Sequence, residues 1–356
     1  MTANSENLAL VYCQGAFNTP NGKTAHGLVR FTRRYSVIGI IDARYANRDA
    51  GEVLDGLTKN IPVFGSLEEA LRNLQRRPTH FVIGIAPDGG RLSTEAREDV
   101  ADAIKSGMHV HAGLHDFLSE DRDLKKLADE YGIELKDIRK PPDRKYLHFF
   151  SGKIDQVKAL KVALLGTDSA VGKRTTAWKL VHTLSDLGIK TEMVGTGQTA
   201  WLQGADYSIV LDSLINDFVS GELEHAVWQA WHKARPTVIV IEGQGSLLNP
   251  AYPGGYEILA ATRPDIIIMQ HAPFREEYDG FPGYPIQPLP KQIAAVEMIS
   301  DKPVVAITIN HENMSDEDVD QYTKFVNRTL GIPGFDVLLH GAHGLADVVR
   351  QYIFKK

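Results

Sequence analysis

The stretch Lys161-Val-Ala-Leu-Leu-Gly166-Thr-Asp-Ser-Ala-Val-Gly172-Lys173-Arg174-Thr175-Thr176 constrains this chain more than any other part of it. An apolar run leads into a loop bounded by two glycines, and a helix-compatible segment follows. Glycine lets the backbone curl until successive N–H groups face one side, where they hold phosphate oxygens. A helix starting at Lys173 adds the positive end of its dipole, and the lysine adds a full charge. A strand that hands such a loop to a helix belongs to a parallel sheet, so the predicted fold class is α/β. The expected cofactor cradle is Gly166, Thr167, Asp168, Ser169, Ala170, Val171, Gly172, Lys173, Arg174 and Thr175.

Two details depart from the common G-x-x-x-x-G-K-[ST] pattern. Five residues rather than four separate Gly166 from Gly172, and Arg174 stands where Ser or Thr would hold Mg²⁺. Thr175 lies about 100° further round the helix and need not replace that ligand. The magnesium site is therefore in doubt, which favours binding of a phosphorylated cofactor over nucleotide hydrolysis. Gly22-Lys23-Thr24 imitates the end of a second phosphate loop. Its upstream partner Gly15 is at the wrong spacing, Pro20 intervenes, and the sequence shows no strong helix after it. It reads as a loop, with Lys23 or His26 lining a site as the alternative.

A chain of 356 residues exceeds one ordinary core and predicts two domains. Arg139-Lys140-Pro141-Pro142-Asp143-Arg144 is the joint, because two prolines in a charged run resist helix and strand alike. Residues 1–142 are expected to form a Rossmann-like domain and residues 143–356 a P-loop NTPase-like, doubly wound parallel sheet. In the first, strands are read at Tyr35–Asp42, Val63–Gly65, Thr79–Ile85 and His109–Ala112, with helices at Leu67–Leu74, capped by Ser66, and Thr94–Ser106. In the second, strands are read at Val162–Leu165, Thr191–Val194, Val238–Ile241, Ile266–Met269 and Val304–Ile309. Its helices are read from Lys173, near Leu223–Lys233 and at Gly344–Tyr352.

Parallel sheets hold ligands at the carboxyl ends of their strands, so polar residues there are the candidates. Asp42 could accept from a ribose, but no G-x-G-x-x-G precedes it at the expected distance, and a Rossmann-like scaffold without a dinucleotide is the preferred reading. Gln198 follows Gly195-Thr196-Gly197, whose glycines permit close approach of a ligand. Glu242 is delivered by four apolar β-branched residues and followed by Gly243-Gln244-Gly245-Ser246; it can ligate a metal, act as general base or cap a turn. His271 has the intrinsic chemistry for proton transfer near neutrality, and Arg275 can clamp a carboxylate with two parallel bonds. Asn310 and His311 end a further strand and can face an adenine or the substrate. The Pro-, Gly- and Tyr-rich stretch Pro273–Pro290 is expected to be a lid, a substrate loop or an interface loop.

Composition excludes several partners. Lys plus Arg number 39 against 45 acids, a formal charge of -6 with no long basic run, so nucleic acid is not expected. The single cysteine, Cys13, rules out an intramolecular disulfide and any Cys-rich zinc site, and fits a cytoplasmic location. MTANSENLALVY has neither the basic nor the apolar segment of a leader, and no run reaches the length of a membrane span. A small-molecule substrate and a homo-oligomer are expected.

GTDSAVGK and IEGQGS resemble the phosphate loop and acidic strand end of dethiobiotin synthetase, the likeness breaking at Arg174. NGKTAHGLVRF, GTDSAVGKRTT, GTGQTAWLQG, IEGQGSLLNPAYPG and the HAPFR segment together resemble a bacterial family long catalogued as a domain of unknown function. One branch of that family is described as D-glutamate N-acetyltransferase, acting with acetyl-coenzyme A. The resemblance implies acetyl-CoA as co-substrate, with its diphosphate on the loop; whether Mg²⁺ takes part stays open. It implies a base, Glu242 or His271. Donors for the thioester oxyanion would come from Gln198, Gln244 or the N–H groups of Gly243–Ser246, and cations for substrate carboxylates from Arg275 and Arg174. Direct attack by the amine is expected, because Cys13 lies in the other half. The other readings are an ATP-dependent ligase or kinase with Mg²⁺ held by Glu242, Asp168 or Thr175, and a nucleotide-responsive regulatory protein.

Overall fold

The computed structural model describes residues 7–354. The expectation that no leader precedes the fold rests in part on residues 1–6, which lie outside the described residues. The chain divides into two compact units, one of Met1–Pro141 with Gln198–Gly204 and one of Pro142–Gly197 with Ala205–Lys356. The sequence reading drew both domains as continuous; the chain instead lends Gln198–Gly204 to the first unit and returns at Ala205.

The first unit is a Rossmann-like parallel sheet of β1 (Leu8–Tyr12), β2 (Ser36–Ile41), β3 (Val63–Phe64), β4 (His80–Ile83), β5 (His109–Ala112) and β6 (Leu135–Asp137). Their spatial order is β3-β2-β1-β4-β5-β6, which reverses direction between β1 and β4. β1 is a strand the sequence reading missed. Covered on both faces, it is fully buried and shows an apolar run rather than alternation. A helix, Lys23–Arg30, also follows the Gly22-Lys23-Thr24 decoy, against expectation. Gly22 fits there because a Cβ would stand 2.6 Å from the Ala16 carbonyl oxygen.

Asp42 follows β2 directly and serves as an internal brace. Its carboxylate is buried and accepts from the Phe17 N–H at 2.8 Å, the Arg44 N–H at 3.0 Å and the Arg44 guanidinium at 2.7 Å. The borrowed helix Gln198–Leu202 is tied in by a Thr24–Thr199 hydroxyl pair at 3.0 Å. Gln203 reinforces it by donating to the carbonyls of Gly27 and Phe31.

The second unit carries β7 (Leu160–Gly166), β8 (Thr191–Gly195), β9 (Tyr207–Ser208), β10 (Val238–Glu242), β11 (Ile266–His271), β12 (Val304–Ile309) and β13 (Gly334–Phe335). Every pairing is parallel, in the order β13-β12-β11-β7-β10-β8-β9. β7, β10 and β11 are buried along their whole length, as strands covered by helices on both faces must be. Their carboxyl ends deliver Gly166, Glu242 and His271 to one edge. Among the described residues no helix is long and apolar enough to cross a membrane.

The helix Asn216–Ala234 presses Gly221 against the chain just after the interdomain joint. A Cβ there would overlap the His148 carbonyl oxygen and stand 2.5 Å from its carbon and 2.6 Å from that of Phe149. These are backbone atoms that cannot rotate away. Gly221→Ala is expected to destabilise the second unit by about 3 kcal/mol or more, read as a lowered urea midpoint. An unchanged midpoint would mean that the 148–149 backbone yields freely.

Candidate active site

The loop after β7 has the curled backbone its glycines predict. Ala170 and Gly172 take left-handed conformations, φ 50° and 102°, with Val171 between them outside that region. Such alternation turns successive N–H groups toward one concave side. Gly166 sits in a crowded place: a Cβ would stand 3.0 Å from Lys173 Cδ and Val171 Cγ2 and 3.2 Å from the Gln270 carbonyl oxygen, so its neighbours would have to give by a few tenths of an ångström. The loop is stitched to β11 by the Thr167 N–H donating to that same oxygen at 3.0 Å.

Lys173 starts the following helix but folds its side chain back across the loop. Its Nζ donates to the carbonyls of Asp168 at 2.6 Å and Gly245 at 2.9 Å. Burial lowers its pKa to about 8, with Arg275 pushing the same way and Asp168 and Glu242 opposing. The ammonium thus joins the phosphate loop to the loop after β10. Gly245 itself is left-handed, φ 45°.

Asp168, expected in the cradle, turns its carboxylate into the protein. It is fully buried and accepts from the Ser169 N–H (2.6 Å), Asn249 Nδ2 (2.8 Å), the Asp279 N–H (2.8 Å) and Arg275 Nη1 (3.0 Å). Arg275, expected to clamp a substrate carboxylate, is engaged from three sides. It binds Asp168, the Ser169 carbonyl and Glu312. An arginine so placed braces the loop rather than waiting for a ligand. The Pro273–Pro290 stretch is neither helix nor strand up to Pro288, yet it is organised: Tyr278 and Tyr284, and Glu276 and Ile286, pair across it. Asp279 and the Tyr278 hydroxyl, which donates to the Leu248 carbonyl at 2.8 Å, fasten it beside the phosphate loop.

Glu242 ends β10 buried, with Oε2 accepting from the Thr196 N–H at 2.8 Å. Burial raises its pKa against the pull of Arg174, the Thr196 N–H and Lys173. Arg174 therefore acts on Glu242 electrostatically from the position where a magnesium-binding hydroxyl was expected. Gln244 donates to Thr196 Oγ1 at 2.9 Å, so Glu242, Thr196 and Gln244 form one cluster. Gln198 belongs to the first unit, where its Cγ would lie 2.5 Å from a Cβ on Gly113. His271 is buried, its Nδ1 hydrogen-bonded to Thr167 Oγ1 at 2.9 Å. Burial lowers its pKa to about 4, which leaves a neutral, weakly basic imidazole at neutrality. Cys13 is buried in the first unit with its thiol pKa pushed up by burial, conditions that suppress the nucleophilic thiolate.

A family model described as a domain of unknown function (DUF1611_C), P-loop domain, matches residues 148–346, more than half of the chain. This chain belongs to the DUF1611 family. The companion model, DUF1611_N, a Rossmann-like domain, matches residues 43–141. A D-glutamate N-acetyltransferase from Tritonibacter scottomollicae is 31% identical over 284 residues, which cover 76% of this chain and 80% of that protein. One of the same name from Pseudoalteromonas sp is 30% identical over 276 residues, 74% and 79% respectively. The crystal structure of a DUF1611 family protein from Anabaena variabilis superposes with a TM-score of 0.89 at 28% identity, covering 97% of this chain and 100% of the other.

Several residues that shape this DUF1611 site carry no motif signal of their own. Gln270 accepts from the hydroxyls of Thr176 and Thr308 and so ties the phosphate-loop helix to β12. Asn249 reaches Asp168, and Asp336 holds His311. Asn249 sits inside IEGQGSLLNPAYPG, and Gln270 and Asp336 both lie at strand ends, the one place a sequence search could have looked.

Proposed function

We propose that this chain transfers the acetyl group of acetyl-CoA to the amine of an acidic amino acid, with D-glutamate the first candidate. The observation that carries the reading is identity of about three residues in ten, over about three quarters of the chain, with two proteins named D-glutamate N-acetyltransferase. The loop chemistry agrees with it. Coenzyme A offers a diphosphate, which suits a curled, lysine-bearing backbone at a helix N-terminus. Arg174 in place of a hydroxyl removes the usual magnesium ligand, so the loop favours holding a diphosphate over cleaving one.

The chemistry forms an amide N–C bond and breaks the thioester C–S bond; the ammonium loses two protons, one of which ends on the departing thiolate and the other in solvent. The residues against the phosphate loop serve the diphosphate end. Lys173 supplies charge, Glu242 balances Lys173 and Arg174 while fixing Thr196, and Asp168 with Arg275 braces the loop from behind. A covalent acetyl-cysteine plays no part, Cys13 being buried with its thiol pKa pushed up.

The test is release of free thiol from acetyl-CoA with D- or L-glutamate, with and without EDTA. The expected result is release that requires D-glutamate and survives chelation. Absence of thiol with either isomer, together with Mg²⁺-dependent ATP turnover on some acid, would replace this reading with a ligase.

A further inference from the structure

His311 follows β12 and Asp336 follows β13, and the parallel register of these strands (Ile307 beside Gly334, Thr308 beside Phe335) brings the two residues together. Asp336 is fully buried. Its Oδ1 accepts from the N–H groups of Leu338 at 2.9 Å and Leu339 at 3.0 Å, and its Oδ2 lies 2.6 Å from His311 Nδ1. An ionised carboxylate only accepts, so the proton between them resides on Nδ1 and the basic nitrogen of the ring is Nε2. The His311 side chain is 33% exposed, against 0% for its partner. A buried carboxylate that fixes the tautomer of a half-exposed imidazole is the arrangement general acid–base catalysis uses.

The pair belongs to the same edge as the phosphate loop. The Asn310 N–H donates to the His271 carbonyl at 2.7 Å. Glu312, the next residue after His311, binds Arg275, which in turn binds Asp168 inside the loop. β12 is two strands from β7, roughly 10 Å at ordinary strand spacing. That separation matters for a donor of the proposed kind, whose thioester hangs on an extended arm well beyond the diphosphate. Glu242 and His271 touch or face the loop itself and stand at the diphosphate end. His311 stands off from it.

We propose that His311, oriented by Asp336, is the catalytic residue that moves the proton in the transfer, an assignment that rests on the acetyl-transfer reading above. The acceptor ammonium first loses one proton to solvent, and His311 Nε2 takes a second from the same nitrogen as the free amine attacks the thioester carbon. The N–C bond forms, the C–S bond breaks with its electron pair going to sulfur, and the imidazolium returns that proton to the thiolate. Asp336 stays ionised and is a positioning residue, stabilising the imidazolium between the two steps.

The experiment uses the full chain with His311→Gln and Asp336→Asn. It measures kcat for thiol release, KM for D-glutamate, and coenzyme A affinity by calorimetry, which needs no turnover. His311→Gln is expected to lower kcat by about a hundredfold or more, the scale of a lost general base, and to leave coenzyme A affinity within about threefold. Added imidazole should restore part of the His311→Gln rate, as no structural defect would allow. Asp336→Asn should lower kcat less, with coenzyme A affinity again unchanged. An active wild type beside a His311→Gln enzyme that keeps most of its kcat, or loses rate and coenzyme A affinity together, overturns the dyad and leaves acetyl transfer standing. A wild type that releases no thiol with any amino acid overturns the transfer reading and the dyad with it.

Discussion

Replacing Lys173 with methionine is expected to weaken coenzyme A binding by about a hundredfold or more while leaving the free protein as stable as before, or more so. The two effects share one cause. Lys173 is an ammonium taken out of water, donating to two carbonyls, with burial lowering its pKa from 10.5 to about 8. Because the folded pKa lies below the unfolded one, the charged lysine opposes folding, fully below pH 8. That opposition fades as pH rises from 8 toward 10.5. The shift corresponds to roughly 3 kcal/mol at neutrality. Methionine keeps the stem and removes the charge, so the fold sheds that cost and the anion loses its cation. A diphosphate does the opposite: it stabilises the ammonium and raises its pKa. Coenzyme A binding between pH 8 and 9 should therefore take up a fraction of a proton, measurable by calorimetry in two buffers of different ionisation enthalpy. A Lys173→Met protein that binds coenzyme A like wild type, or wild-type binding without proton uptake, would show that the loop is not the diphosphate site.

How much of this was legible in the sequence depended on whether a feature is local. The strand–loop–helix at Lys161–Thr176 was readable because glycine placement and apolar run are properties of neighbours; β7 and the helix Lys173–Asp186 lie where they were predicted. The His109–Ala112 strand and the Ser66 cap, whose hydroxyl accepts from the Glu69 N–H, were equally local. β1 was missed because five apolar residues without flanking turn signals carry no period, although they form the middle of a sheet. The helix Lys23–Arg30 was missed because a threonine and a glycine, Thr24 and Gly27, interrupt its short buried face. At the site, residue types were legible and their engagement was not. Arg275 looked available, and nothing near it in sequence announces Asp168 or Glu312 as partners. Asp336 is 25 residues from His311 and joins it only through strand register.

Asp168→Ala is expected to be the most damaging single change near the site that leaves every proposed ligand contact in place. The carboxylate is buried beneath the loop with four donors converging on it: two backbone N–H groups, an asparagine amide and a guanidinium. Alanine leaves all four without that acceptor, and Arg275 keeps only Glu312 and one carbonyl. Breaking a buried ion pair by removing one partner costs about 3–5 kcal/mol. The damage should be localised, because Arg275 and Asp279 are two of the ties that hold the segment between Ala272 and Pro288. Hydrogen exchange should quicken there and in the phosphate loop well before it quickens in β10 or β12. Asp168→Asn, which keeps a neutral acceptor of the same shape, should fall between alanine and wild type. If exchange in this segment is unchanged in Asp168→Ala, the Tyr278–Leu248 bond and the cross-loop pairs hold it unaided. The acid within the phosphate loop is then consistent with anion binding for a simple reason. Its charge faces the Arg275 guanidinium at 3.0 Å and is balanced within the protein.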